Sequence, residues 1–381
     1  MRSLRLTIII IVLLLGAGCQ VQELTDSVIV AGIGMDLEDE QIRVSLQLAD
    51  PTASGQGAAA TGPAFRVVSE TGRSFTESVR KIMLSFPRHP ILSQANIMIL
   101  GEELVRNDLA WIADVSLRNP DIRKNAVVVV ARNATPEDIL NTEVLLEPLS
   151  AAAIPKLLEI QESQVGIYQP VTYAQFLEKL SRSGVEPSVP QVSLYNTING
   201  KAIRLDGTAV FKGRKMVGHL NAEESRGLRL ISPGRTQGGL INIPAPSGGQ
   251  GKVGIEMTRS QTIVEPVDID GRIIIRIKFI GEGNYYEQTS ADDILRLDNI
   301  ANLEALTEHR IKIDIEACVK QAQTLESDIF GWGTMVYARD PDLWARVGDN
   351  WDQIFPGLKT DLSVDFSIRR TYLTRKSLVY K

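Results

Sequence analysis

Reactive side chains are scarce in this chain of 381 residues, which has two cysteines, Cys19 and Cys318, and three histidines, His89, His219 and His309. No histidine stands at metal-ligand spacing from another or from a cysteine, so the sequence offers no zinc-site pattern. Gly32-Ile33-Gly34 and Gly281-Glu282-Gly283 are too short for a dinucleotide fingerprint, and no phosphate-loop or nucleophile-elbow motif occurs. Glycines so placed in strands permit bends or close packing. The acidic run Asp36, Glu38, Asp39 and Glu40 lacks the order of a calcium loop and reads as a solvated hairpin tip. The formal charge is −5 with both signs mixed along the chain, so no basic stripe exists to draw nucleic acid. These absences predict a protein that is not an enzyme and that holds neither a metal nor a cofactor.

Apolar residues make up 44% of the chain and charged residues 23%, ordinary values for a globular protein with a real core. The length exceeds what one core organises, which predicts two or three domains. The single long apolar run is at the N-terminus. Arg2 and Arg5 precede an unbroken stretch from Ile8 to Leu15, and Leu15-Gly16-Ala17-Gly18-Cys19 follows at once. That is a positive region, an apolar region and a small-residue processing site. The run is well short of the roughly 20 residues a membrane span needs, so a cleaved export signal over residues 1–18 is expected.

Cys19, directly after small residues, resembles the cysteine of a bacterial lipobox, whose thiol takes a diacylglycerol and becomes the mature N-terminus. Gly16 departs from the leucine usual three residues before that cysteine. The alternatives are an ordinary secretory signal with a chance cysteine, and an uncleaved anchor. Each buried methylene contributes about 0.8 kcal/mol, so one acyl chain binds a bilayer marginally and two or more hold it stably. The expectation is a body tethered through Cys19 to the outer face of a membrane. Cys318, left without a partner, reads as a small buried hydrophobe.

Periodicity divides the body in two. In the first part Ile42, Val44, Leu46 and Leu48 alternate with polar residues as a half-buried strand does, and Ala126 to Ala131 has the composition of a strand covered on both faces. Ser74-x-x-Glu77, Thr135-Pro136 and Thr172-x-x-Gln175 open helices. A further helix is expected from about Glu102 to Leu117. Val185 to Pro190, with two prolines, reads as the main linker, with a boundary near residue 200. In the second part Asn221-x-x-Glu224 caps a short helix, and Asp270-Gly271 marks a hairpin between apolar runs. Ser290 to Ser327 is the longest helical region, with Ile311, Ile315, Cys318, Ala322 and Leu325 on its buried stripe. Leu362, Val364, Phe366 and Ile368 alternate as a closing strand.

The fold class expected is α+β and multidomain. It pairs a mixed sheet with helices in the N-terminal half with a largely antiparallel sheet packed by a long helix in the C-terminal half. The division expected is a domain over residues 19–200 and another over 201–381, open to a subdivision that gives three in all. Trp332, Trp344 and Trp351, three of the four tryptophans, fall within twenty residues. Such density either anchors a partner surface or packs the end of the long helix, and packing is the favoured reading. Arg118-Asn-Pro-Asp-Ile-Arg123 is read as a helix stop with solvated charges rather than a recognition turn.

The lipobox followed by Glu23-Leu24 and Val30-Ala-Gly-Ile-Gly-Met-Asp36 begins a series of short motifs. It continues through Gly72-Arg73-Ser74, Ile99-Leu-Gly-Glu-Glu-Leu104, Arg118-Asn-Pro-Asp-Ile-Arg123 and Gly207-Thr-Ala-Val-Phe-Lys212, and closes with Gln321, Asp328-Ile-Phe-Gly-Trp-Gly333, Pro341, Trp344 and Trp351. In this order the series resembles the Ger(x)C family, the lipoprotein C subunits of bacterial spore germinant receptors; Gln94 departs from a histidine common there. The resemblance implies a non-catalytic subunit on the outer face of the spore inner membrane. It would assemble with two integral membrane subunits, A and B, that sense nutrients, and its fold would be several α+β domains. Direct small-molecule binding by this subunit is left open. The competing expectation is an extracytoplasmic solute-binding lipoprotein serving a transporter. That class needs repeated βαβ units in both lobes, whereas the second half here is rich in hairpins.

Overall fold

The structure, a computed structural model, describes residues 26–49, 65–198, 200–245, 251–289 and 297–370. The export segment, Cys19 and the loop expected over 53–63 lie outside the described residues.

Nine strands form the first sheet: β1 (Ser27–Glu38), β2 (Gln41–Ala49), β3 (Phe65–Gly72), β4 (His89–Ile91), β5 (Ile97–Leu100), β6 (Val127–Ala131), β7 (Ser188–Thr197), β8 (Gly200–Lys212) and β9 (Lys215–Leu220). Their order is β3-β2-β1-β5-β6-β7-β8-β9, with β4 beside the start of β1. The central strands β1, β5, β6 and β7 run parallel, and antiparallel hairpins flank them on both sides, so the sheet is mixed. Val128 and Val130 of β6 enter one core and Val129 and Ala131 the other, which is the two-residue period of a strand buried on both faces. Helices α1 (Phe75–Ser85), α2 (Glu102–Val105) and α3 (Ala110–Arg118) pack on the first of these faces, α4 (Pro136–Asn141) and α5 (Ser150–Gln164) on the second, and α6 (Tyr173–Ser181) on the first again. Gly32 and Gly34 allow this cover to come close, since a Cβ on Gly32 would stand 2.7 Å from the Ala151 Cβ.

Two expectations change. The helix expected over Glu102 to Leu117 is broken into α2 and α3. Asn107 Nδ2 donates to the Glu103 carbonyl and Asp108 Oδ1 accepts from the Ala110 N–H, so these side chains compete with the helical ladder. The segment read as the main linker enters β7 at Ser188. Its ladder shifts at a bulge between Pro190 and Val192, where a missing N–H is tolerated. The sheet then runs on through β8 and β9, beyond residue 200.

The second sheet contains β10 (Gly234–Thr236), β11 (Leu240–Pro244), β12 (Lys252–Ile269), β13 (Arg272–Gln288) and β14 (Lys359–Arg370). The order is β10-β12-β13-β14, with β11 also on β12; every pairing is antiparallel except β13 with β14. The β12–β13 hairpin turns at Asp270 and Gly271, whose φ of 52° and 77° supply the positive values a two-residue hairpin turn needs. Ile275, Ile277 and Phe279 point into a core shared with α7 (Ala222–Ile231) and α8 (Leu297–Thr324), while Arg276 and Lys278 face water. Along α8, Ile311, Ile315, Cys318 and Ala322 are all 0% exposed, and burial pushes the Cys318 thiol well up. Edge strand β14 gives the N–H groups of Phe366 and Ile368 to Glu308 and Glu304 of α8, at 3.0 and 2.8 Å. That seals part of an open edge.

The cores interlock at β8. Ala209 and Phe211 lie in the core of the first sheet, whereas Val210 between them lies in the core of the second. Helices α9 (Trp332–Arg339), α10 (Pro341–Val347) and α11 (Trp351–Ile354) complete the second core before β14.

Candidate functional site

After α8 the chain turns sharply, with Glu326 and Gly331 in left-handed backbone at φ 51° and 73°. Asp328 sits inside this turn. One carboxylate oxygen accepts the Trp332 N–H at 3.1 Å; the other accepts the Gly333 N–H at 2.8 Å and Trp351 Nε1–H at 2.9 Å. Burial pushes the carboxyl up to about 6, against the downward pull of these donors. Trp332 stacks on Phe330 at 4.6 Å between ring centres, and Trp351 packs against Trp344 at 5.5 Å.

Trp332 and Trp351 are 0% and 3% exposed, and Trp344 is half-buried. Read as a partner surface, the tryptophan cluster is therefore corrected. Two of its three members are interior and pack the end of the long helix, the reading favoured from the sequence: Trp351 gives its indole N–H to Asp328, whereas Trp332 gives only its backbone N–H and its ring packs on Phe330 and Phe355.

The same turn joins the two halves. The Asp328 carbonyl accepts the Glu186 N–H at 2.8 Å, and the Gly184 carbonyl accepts the Thr334 N–H at 2.9 Å. Ser327 Oγ donates to the Phe211 carbonyl, and Lys212 pairs with Glu326 at 2.6 Å. Gly184, at φ 77°, is pressed so close that a Cβ would stand 2.8 Å from the Trp344 ring. Glu186 Oε2 accepts the Gly213 N–H at 2.7 Å. Burial pushes its carboxyl up to about 7; the Gly213 N–H opposes this, while Asp352 and Asp328 add to it.

Beside the joint a cavity of about 400 Å³ opens between α6, α7 and the turn, lined among others by Gln175, Lys179, Ser188, Thr208, Ser225 and Met335. The Thr208 and Ser225 hydroxyls bond to each other at 2.9 Å. Burial pushes the Lys179 ammonium down, with Asp328 and Glu178 pulling the other way, and Lys179 makes no ion pair among the described residues. Such a lining can hold a small polar or anionic group. Among the described residues no three His, Cys, Asp or Glu side chains stand together as metal ligands would.

Lys179 and Glu186 carry no sequence motif, and Glu186 fell in the segment read as a linker. The one signal that pointed at the joint was Asp328-Ile-Phe-Gly-Trp-Gly333. Cys19 is outside the described residues. The Arg118–Arg123 turn is at the surface, with Arg118 paired to Asp114 at 2.9 Å and Arg123 bonded to Asn96 at 3.1 Å.

Two family models match the chain. The spore germination protein N-terminal domain matches residues 20–194, and the C-terminal domain described as spore germination B3/GerAC like matches residues 206–372. Spore germination protein KC of Bacillus subtilis (strain 168) is 27% identical, covering 94% of this chain and 93% of its own. Spore germination protein B3 of the same organism is 22% identical over 96% of each. The crystal structure of the GerBC protein superposes with a TM-score of 0.58 at 19% identity, covering 88% of this chain and 96% of that one, and so shares the fold. The motifs in order, the two matched domains and the shared α+β fold together make this chain a member of the Ger(x)C family of spore germination proteins.

Proposed function

We propose that this chain is the non-catalytic C subunit of a nutrient germinant receptor, held by a lipid on Cys19 to the outer face of the spore inner membrane and assembled there with the integral A and B subunits. The observation that carries the reading is the family match running through nearly the whole chain, from residue 20 to residue 372. The position of Cys19 immediately after a short apolar run and three small residues supports the anchor. No described helix is long and apolar enough to cross a membrane, which suits a body that depends on such a tether.

The competing reading, a solute-binding lipoprotein of a transporter, calls for two lobes of repeated βαβ units. The second sheet instead rests on the long β12–β13 hairpin, with one parallel crossover to β14. Tagged protein isolated from dormant-spore membranes tests the choice. Recovery with A and B subunits is expected, and recovery with transporter permeases in their absence would sink the receptor reading. Cys19→Ala is expected to release the protein from the membrane fraction and impair nutrient germination. Unchanged retention together with unchanged germination would remove the lipid anchor from the account.

A further inference from the structure

We propose that the end of the first sheet at which β1 begins is a bilayer-docking face that receives the headgroups of anionic phospholipids. The inference rests on Cys19 carrying a lipid. Eight residue steps separate Cys19 from Ser27, and a fully extended chain spans at most about 3.6 Å per residue, so Ser27 stands no more than roughly 29 Å from the anchored sulfur. The end of the body that holds Ser27 is therefore the end held at the membrane.

Three pieces of chain meet there. β4 pairs with the first residues of β1, setting Ser27 beside His89 and Ile29 beside Ile91. Helix α1 ends at Ser85, four residues before β4 begins at His89. The turn preceding β6 is tied to the same end by the Val127 N–H on the Asn96 carbonyl and by Arg123 on the Asn96 side chain. Residues of α1 and β4, together with Asn119 and Asp121 of that turn, line one groove of about 410 Å³.

The chemistry of this end differs from that of the chain as a whole. Leu84 on the last turn of α1 is 87% exposed and Met83 beside it 36%. Arg80 and Arg88 lie on either side of them in sequence, and Arg123 and Lys124 stand on the neighbouring turn, all four exposed. Arg118 is already neutralised by Asp114. Against those four cations stand Asp26 and Asp121, a local charge of 4 − 2 = +2 in a chain whose net charge is −5. Cations around an exposed leucine, on the face nearest the tether, complement a surface that is negative at its headgroups and apolar just beneath. An integral protein partner would match the leucine but has no reason to be anionic.

The test uses the full lipidated chain carrying Leu84→Cys, with Ile263→Cys on the second sheet as reference, each labelled with bimane. Cys318 is buried and Cys19 is blocked by its lipid, so one label per chain is expected; two labels would reveal a free Cys19 and overturn the tether and the docking face together. The chains are reconstituted in phosphatidylcholine vesicles with and without about one third phosphatidylglycerol, in both cases with a nitroxide-bearing lipid as quencher. Quenching at position 84 is expected to be roughly threefold that at 263 on the anionic vesicles, and to fall by about half or more on neutral ones or in the Arg88→Glu/Lys124→Glu variant. Equal quenching at both positions with one label per chain would overturn the face and leave the anchor standing. Quenching at 84 that ignores both lipid charge and charge reversal would overturn the assignment of anionic headgroups.

Discussion

Trp351→Phe probes the joint most directly, because it removes one donor from Asp328 while leaving an aromatic ring in place. Trp351 Nε1 donates to the Asp328 carboxylate at 2.9 Å, and both groups are buried. A hydrogen bond to a charged group contributes about 1.5–3 kcal/mol, and the smaller ring leaves a void costing about 1–2 kcal/mol. The two contributions separate with pH. The folded-state pKa of Asp328 is raised to about 6 from an ordinary 3.8. In the parent, this group therefore supplies stability that is fully present below about pH 4 and is lost as pH rises through 6. The variant removes a donor that favours the ionised form, so the folded pKa rises further and the loss on ionisation deepens. The expected destabilisation is about 3–4 kcal/mol at pH 7.5, where Asp328 is charged in the parent, and about 2–3 kcal/mol at pH 5, where the neutral carboxyl accepts the indole N–H more weakly and the ring volume still counts. Urea unfolding followed by circular dichroism at both pH values measures the difference, provided the slope of each transition matches that of the parent. Equal losses at the two pH values, or a larger loss at pH 5, would refute the reasoning.

Three further outcomes follow from single features. Glu186, with a folded pKa raised to about 7, contributes stability present below its unfolded value and lost as pH rises through 7. Glu186→Gln should therefore flatten the fall in Tm between pH 5 and 8 seen by scanning calorimetry, and a variant with the parent's slope would contradict this. Gly227 of α7 packs so tightly on α8 that a Cβ would meet the Asp314 carbonyl oxygen at 2.0 Å, whereas a Cβ on Gly357 meets nothing within 4 Å. Gly227→Ala should cost about 3 kcal/mol and Gly357→Ala no more than about 0.5 in the same urea assay; similar effects at the two sites would count against the packing argument. The Cys318 thiol, 0% exposed, should react with N-ethylmaleimide no faster than the protein unfolds, and rapid modification of the native chain would contradict its burial.

Local signals specify the structure where short-range chemistry decides the outcome. Thr172 and Asn221 each form the reciprocal capping box that their spacing predicts and Thr135 caps its helix; at Ser74 only half of the expected box closes, because the Glu77 carboxylate accepts the Arg73 N–H, and Asp270-Gly271 makes the turn of the β12–β13 hairpin. Cys318 falls on the buried stripe because period 3.6 is a property of the helix alone. Non-local relations were not legible. Nothing near Leu362 says that β14 lies parallel to β13 rather than antiparallel, since that depends on the path of the helices between them. Val185 to Pro190 looked like a linker because its prolines weaken any ladder, and the bulge that accommodates Pro190 depends on the partner strand β8. The clustering of Trp332, Trp344 and Trp351 is visible in the sequence. That the Trp351 ring turns inward follows from Asp328, which accepts its indole N–H, while the Trp332 ring packs against Phe330 and Phe355; neither contact exists until the turn is built. The cavity beside Lys179 assembles from three distant elements, so no window of sequence could contain it.

The alternation along β8 has a mechanical consequence. With Ala209 and Phe211 gripping one core and Val210 the other, this strand works as a shared axle. Bending the molecule between its halves would pull one set of side chains out of its socket, and close-packed interiors resist such deformation. A displacement of the second sheet is therefore shared by the first rather than absorbed between them.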